Sequence, residues 1–186
     1  MRIFTFIFIL LAAFLSLQAC NIESQSNYKA GSADQSANQS AIVDDDILDF
    51  MNKAASGAMM EVQLGEMAEQ NSKSDGVKNF GIMMVKEHTR ANGDLQNLAK
   101  QKDIVLPAVV SEEHQKHINE LTPLRGPEFD EKYMDMMVND HQADISLFQK
   151  AVNFNDPDIS AFAAKMLPVL EKHLKAAKKI ERNLTM

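Results

Sequence analysis

Between residues 44 and 184 the apolar side chains recur in steps of three and four, in four separate long runs. That spacing lines them up along one stripe of an α-helix. Four such stripes in one chain call for mutual burial, which makes a helical bundle the expected fold. The first helix is expected from about Asp44 to Ser72, with a seam of Ile47, Phe50/Met51, Ala54, Ala58, Leu64/Gly65 and Ala68. The second runs from about Asp75 to Lys102, with Val77, Phe80/Gly81, Met84, Ala91, Leu95 and Leu98. The third, from about Pro127 to Asn153, carries Phe129, Met134, Met137, Ile145, Phe148 and Val152. The fourth, from Pro157 to about Asn183, carries Ile159, Phe162, Met166, Val169/Leu170, Ala177 and Ile180.

Each seam is interrupted by one metal-ligand type of side chain: Glu61, His88, His141 and His173. A seam position faces the core, where a polar group is costly unless satisfied. One interruption on each helix, three of them imidazoles, predicts a polar cluster inside the bundle. Counted from the helix ends at about 1.5 Å per residue, Glu61, His88 and His141 fall at similar heights, and His173 about a turn away.

The punctuation sets the topology. Ser72 to Gly76 and Asn155-Asp156-Pro157 are short capped turns, so two helical hairpins are expected. The connection over 103–126 is much longer and is broken by Pro107, Pro123 and Gly126, with Pro127 directly after it. Ser111-Glu112-Glu113 is suited to start a short helix ending near Leu121. Two hairpins joined by a connection long enough to run the length of the bundle describe a ferritin-like four-helix bundle. An internal echo supports two halves: Met83-Met84-Val85-Lys86-Glu87-His88 returns as Met136-Met137-Val138-Asn139-Asp140-His141. Pro168 lies inside the fourth helix, and a kink is expected there.

The beginning of the chain reads differently. Arg2 precedes an apolar run from Ile3 to Leu15, too short to span a bilayer and suited to a signal-peptide core. Leu17-Gln18-Ala19-Cys20 resembles the bacterial lipoprotein cleavage box, and Cys20 is the single cysteine of the chain. The resemblance implies a signal peptide over 1–19 and lipidation at Cys20, which would anchor the protein to a membrane. Residues 20–43 are rich in Ser, Gln, Asn and Ala and read as a flexible tether to a domain over 44–186. Asn21 follows the cysteine. In Gram-negative lipoproteins an Asp there retains the protein at the inner membrane, so its absence implies an outer-membrane lipoprotein facing the periplasm. Without Arg2, 18 basic residues stand against 26 acidic ones, a net charge of −8. That acidity argues against nucleic acid as a partner, and the missing second cysteine excludes a disulfide scaffold. Protein partners are not specified by the sequence.

Several stretches resemble the family called domain of unknown function 4142, or DUF4142, ferritin-like proteins described as outer membrane proteins. They are Ala58-Met59-Met60-Glu61-Val62 with Gly65; Met84-Val85-Lys86-Glu87-His88-Thr89-Arg90-Ala91-Asn92; Leu106-Pro107; Phe129 to Met134; Met137 to Gln142; Leu167-Pro168; and His173-Leu174. The resemblance covers about Asp46 to Leu184. It implies an exported helical bundle and no particular reaction.

The residues themselves leave three classes open. Three imidazoles and a carboxylate suit one transition-metal ion, copper, zinc or iron. Asp140, Asp144 and Glu87 are placed to orient the rings, and Asp144 is a further candidate ligand. Met84 and Met137 each precede a seam histidine by one turn. As ligands they would favour Cu(I), although methionine at that spacing is ordinary core filler. Alternatively, Glu61 and the imidazoles satisfy one another, and the cluster is the structural polar core of an interaction module. A metal-dependent enzyme is the third class, but binding rather than catalysis is the expected role. Ferritin-type oxidase chemistry is disfavoured, since adjacent Glu87 and His88 point about 100° apart and no pair of Glu-x-x-His motifs exists. His114 and His117, beside Glu112, Glu113 and Glu120, read as a solvated polar face with a surface metal site as the alternative.

Overall fold

The computed structural model describes residues 44–184. The expected signal peptide, the lipidation site Cys20 and the tether lie outside the described residues. Among the described residues five helices form: α1 (Asp45–Asn71), α2 (Asp75–Gln101), α3 (Glu112–Leu121), α4 (Gly126–Ala151) and α5 (Pro157–Leu184). Their starts follow local chemistry. The side chains of Asp44, Ser74 and Ser111 accept backbone N–H groups of the first turns of α1, α2 and α3, and Asp156 accepts those of Asp158 and Ile159 at α5. α5 continues as helix on both sides of Pro168.

Side-chain anchors fix the helix directions. The Lys73 amide, between α1 and α2, donates to Asp130 near the start of α4 at 3.3 Å. Lys102, just past the end of α2, pairs with Asp156 and Asp158 at the start of α5, at 2.7 and 2.8 Å. Phe50 near the start of α1 packs edge-on against Phe148 near the end of α4. Thus α1 and α2 are antiparallel, α4 and α5 are antiparallel, and the segment over 102–125 returns along the whole bundle with α3 inside it. This is the ferritin-like connectivity. Among the described residues no helix is long and apolar enough to cross a membrane.

Gly65 and Gly81 let α1 and α2 touch. A Cβ on either would lie 2.7 Å from the carbonyl oxygen of the other. No side chain larger than hydrogen fits that approach without moving the helices.

The core falls into two apolar clusters. One gathers Phe50, Met51, Leu95, Phe148, Ile159 and Leu170. The other gathers Leu64, Phe80, Met84, Phe129, Tyr133, Met134 and Met137. On each long helix the polar seam residue lies at the boundary between the two sets.

Candidate metal centre

Glu61, His88, His141 and His173 converge from all four long helices, with 1, 4, 0 and 1% of their surface exposed. His173, placed a turn away by counting, is within the cluster. The rings of His88, His141 and His173 are mutual neighbours, with centroids 5.3 to 5.7 Å apart. One ring nitrogen from each lies within 4.8 Å of those of the other two.

Hydrogen bonds on the outer sides of the rings fix the protons. His141 Nδ1–H donates to the carbonyl oxygen of Met137 at 2.9 Å, one turn back on its own helix. His173 Nε2–H donates to Glu87 Oε2 at 2.7 Å, and Lys172 holds the other oxygen of Glu87 at 3.1 Å. His88 Nδ1–H donates to Glu61 Oε2 at 2.8 Å. The nitrogens left over are His141 Nε2, His173 Nδ1 and His88 Nε2. The first two face each other at 3.3 Å. The third is buried with no protein partner.

Electrostatics sharpen this pattern. Burial pushes His141 below the usual imidazole value, more than Glu61 pulls it back. Burial also pushes His173 down to about 4, against the opposing bond to Glu87 and with further repulsion from the other two rings. Both rings are therefore neutral at pH 7, and the 3.3 Å contact sets one lone pair against another. Burial opposes the charge on Glu61, but the histidines, His88 foremost, outweigh it and hold the carboxyl at about 2. His88 moves the other way: burial lowers it, and Glu61 overcomes that and raises it. Glu61 is thus a carboxylate orienting His88, with its Oε1 3.4 Å from His141 Nδ1.

The other expected participants take different places. Met84 and Met137 are fully buried in the apolar cluster, and Met137 meets His141 through its backbone carbonyl. Glu87 does orient a ring, that of His173 on the facing helix. Asp140, its counterpart in the sequence echo, instead lies 3.6 Å from His117 Nδ1. Asp144 is partly exposed and shares the lining of a small cavity with Glu61, His88 and Asn92. Burial drives its carboxyl well above the usual range, with Glu61 and Asp140 adding to the rise. The solvated-face reading of His114 and His117 is corrected. Both rings turn against the bundle, and His114 Nδ1 hydrogen-bonds the buried Ser56 hydroxyl at 2.7 Å, while Glu112, Glu113 and Glu120 remain exposed. Ser56 and Asn92 escaped the sequence reading. The available signal was position, since Asn92 lies one turn beyond His88 on the same face.

A four-helix bundle of ferritin-like connectivity with three buried histidines across its core is the class that fold and site define. The chain belongs to the family described as domain of unknown function (DUF4142), whose model matches residues 31–180. No curated protein matches the sequence. Among solved structures it is similar to a DUF305 fragment from Deinococcus radiodurans, with a TM-score of 0.66 at 10% identity, covering 74% of this chain and 96% of that one. It is also similar to CopM in a Cu(II)-bound form, with a TM-score of 0.63 at 15% identity, covering 74% and 96%. CopM in a silver-bound form gives 0.60 at 14% identity over 74% and 96%. At these identities the likeness establishes the fold.

Proposed function

We propose that this protein holds one transition-metal ion, copper, zinc or iron, through His88, His141 and His173 inside the bundle, as a binding protein of the cell envelope. The observation that carries the reading is the pair of neutral imidazoles whose lone pairs meet at 3.3 Å. A self-satisfied polar core would place a proton between them. Two ligands of one tetrahedral ion, with bonds of about 2.0–2.1 Å, stand about 3.3 Å apart. His88 completes a trigonal set if its ring closes by about an ångström, because the widest nitrogen pair is within 4.8 Å and two bonds of about 2.1 Å reach no further than about 4.2 Å. Glu61 and Glu87 orient the rings and raise their basicity, as carboxylates behind metal-bound histidines do. Bound there, the ion would be held by borderline-soft nitrogen donors, which suit these metals over magnesium or calcium. CopM, of the same fold, was solved with copper and with silver, which supports the choice of metals.

Lipidation at Cys20 and a tether over 20–43 would hold the domain at the periplasmic face of the outer membrane, placing the role in envelope metal homeostasis or stress. The test is metal analysis of protein purified without an affinity tag, after exposure to Cu(II), Zn(II) or Fe(II). Stoichiometric metal, lost in His88→Ala/His141→Ala, is the expected result. Metal-free protein whose stability alone falls in that variant would instead make the cluster a structural core.

A further inference from the structure

Four buried donor-type residues need a way in from solvent, and three surface grooves approach them. The first lies between α1, α4 and the crossover, has a volume of about 1140 Å³, and is lined by Ser56, His114 and Asp144 among others. The second, about 330 Å³, lies between α2 and α5 beside Glu87 and is lined in part by Ala91 and Met166; a third, about 680 Å³, lies between α1, α2 and the crossover and is lined in part by Asn92. Inside the bundle a cavity of about 20 Å³ touches Glu61, His88, Asn92 and Asp144. That is room for one water molecule or one bare ion.

Asp144 is the side chain common to the first groove and the inner cavity. The wall opposite it is Gly57, whose absent side chain leaves a gap. A Cβ there would sit 3.9 Å from Asp144 Oδ1 and 3.7 Å from His114 Cε1. Beyond the gap, Glu61 Oε1 and Asn92 Oδ1 are buried oxygens with no hydrogen-bond partner in the protein, and His88 Nε2 is the unpartnered nitrogen of the ligand set. Donor atoms thus follow one another from the surface to the histidines. The grooves differ in what they share with the inner cavity. The second meets it through Ala91 and Met166, which offer no oxygen or nitrogen in their side chains, and the third through the Asn92 amide, whereas the first meets it through a carboxyl.

Resting on the metal-binding reading, we infer that the ion reaches the histidines by the α1–α4 face, through a neck formed by Gly57, His114 and Asp144. Asp144 is a transfer residue rather than a permanent ligand. It offers an oxygen at the point where an ion leaves the groove, and the inner cavity passes the ion to His88.

Stopped-flow mixing with Co(II), whose histidine complexes absorb visible light, tests the route on the intact protein. Gly57→Ala narrows the neck by a contact the structure tolerates, and Asp144→Asn removes a carboxyl that can give up its proton for an arriving ion while keeping the shape. Each is expected to slow Co(II) uptake and release together by about ten-fold, leaving Kd within about two-fold of the parent. Lys86→Ala/Arg90→Ala should leave both rates unchanged. Faster uptake in that variant, or parental rates in the first two, overturns the route while the histidine site stands. A Kd weakened in Asp144→Asn at an unchanged uptake rate makes Asp144 a ligand and also overturns it. Parent protein that takes up no Co(II), Cu(II), Zn(II) or Fe(II) refutes the histidine site itself, and the route with it.

Discussion

His141 Nε2 and His173 Nδ1 stand 3.3 Å apart, each with its ring's other nitrogen committed to an oxygen on the far side. The relationship depends on Glu87, which fixes the tautomer of His173 from a neighbouring helix. Glu87→Gln weakens that hold, because a neutral amide is a poorer acceptor than a carboxylate. Affinity for Zn(II) by titration calorimetry should fall about 10- to 100-fold. An unchanged affinity would show that the ring needs no such support.

Acid should remove the contributions of His173 and Glu61 to stability in two stages. The native protein keeps His173 neutral down to about 4, while the unfolded chain protonates it near 6.5. Between those values the unfolded state binds more protons, so stability rises with pH across the window and is lost on acidification. At 1.36 kcal/mol per unit, the loss from pH 6.5 to 4 is roughly 2–3 kcal/mol. Glu61 adds a second stage. Its native carboxyl titrates near 2 instead of 4.5, so its contribution is present above 4.5 and lost as pH falls through 2. Asp144, Asp140 and His88, all raised, change stability in the opposite sense over this window, so the first stage is read as a difference: in denaturant melts at pH 7, 5.5 and 4.5, His173→Leu should lose less stability toward acid than the parent. A pH profile that His173→Leu leaves unchanged would contradict the assignment.

Metal affinity should follow pH in the opposite sense to proton occupancy at His88. Glu61 raises this ring above 6.5, and an ion must displace the proton on Nε2. The Kd for Zn(II) is therefore expected to tighten from pH 6 to pH 8. Calorimetry in two buffers of different ionisation heat should register net proton release on binding, greater at pH 6 than at pH 8. Binding without proton release would mean that His88 is already neutral.

The Gly65–Gly81 contact makes a structural prediction independent of any ligand. Alanine at either position drives a methyl group into the backbone of the facing helix, at a cost of about 1–3 kcal/mol. Gly93, also in α2, has nothing within 4 Å of a built Cβ. Gly93→Ala should stabilise by up to about 1 kcal/mol through helix propensity alone. Thermal melts of the three variants separate packing from propensity, and a stable Gly65→Ala protein would refute the close approach.

Much of this arrangement was legible in the sequence because amphipathic helices announce their inward face. The helix ends fall within two residues of their expected positions, and Ser111 starts α3 as its cap chemistry implied. The level of His173 was harder to read. Counting from the turn assumes that paired helices end together. His141 lies 10 residues before Ala151 and His173 lies 16 after Pro157, yet they touch. α5 must therefore begin about six residues, roughly 9 Å, beyond the end of α4. That overhang is set by the connector with Phe154, which packs against Phe50. Which polar side chain meets which was likewise hidden. Glu87 and Asp140 occupy matching places in the sequence echo, but one faces α5 and the other faces α3. Only the tertiary neighbour decides the partner, and periodicity carries no record of it.

The seam of polar groups dividing the two apolar clusters also acts as a mechanical detent. Sliding any one long helix by a turn would push a carboxylate or an imidazole into hydrocarbon and strand its opposite number, at a cost of several kcal/mol. The bundle is therefore locked in one alignment along its axis, whether an ion is present or not, and its interior is ruled like a scale with a single permitted zero.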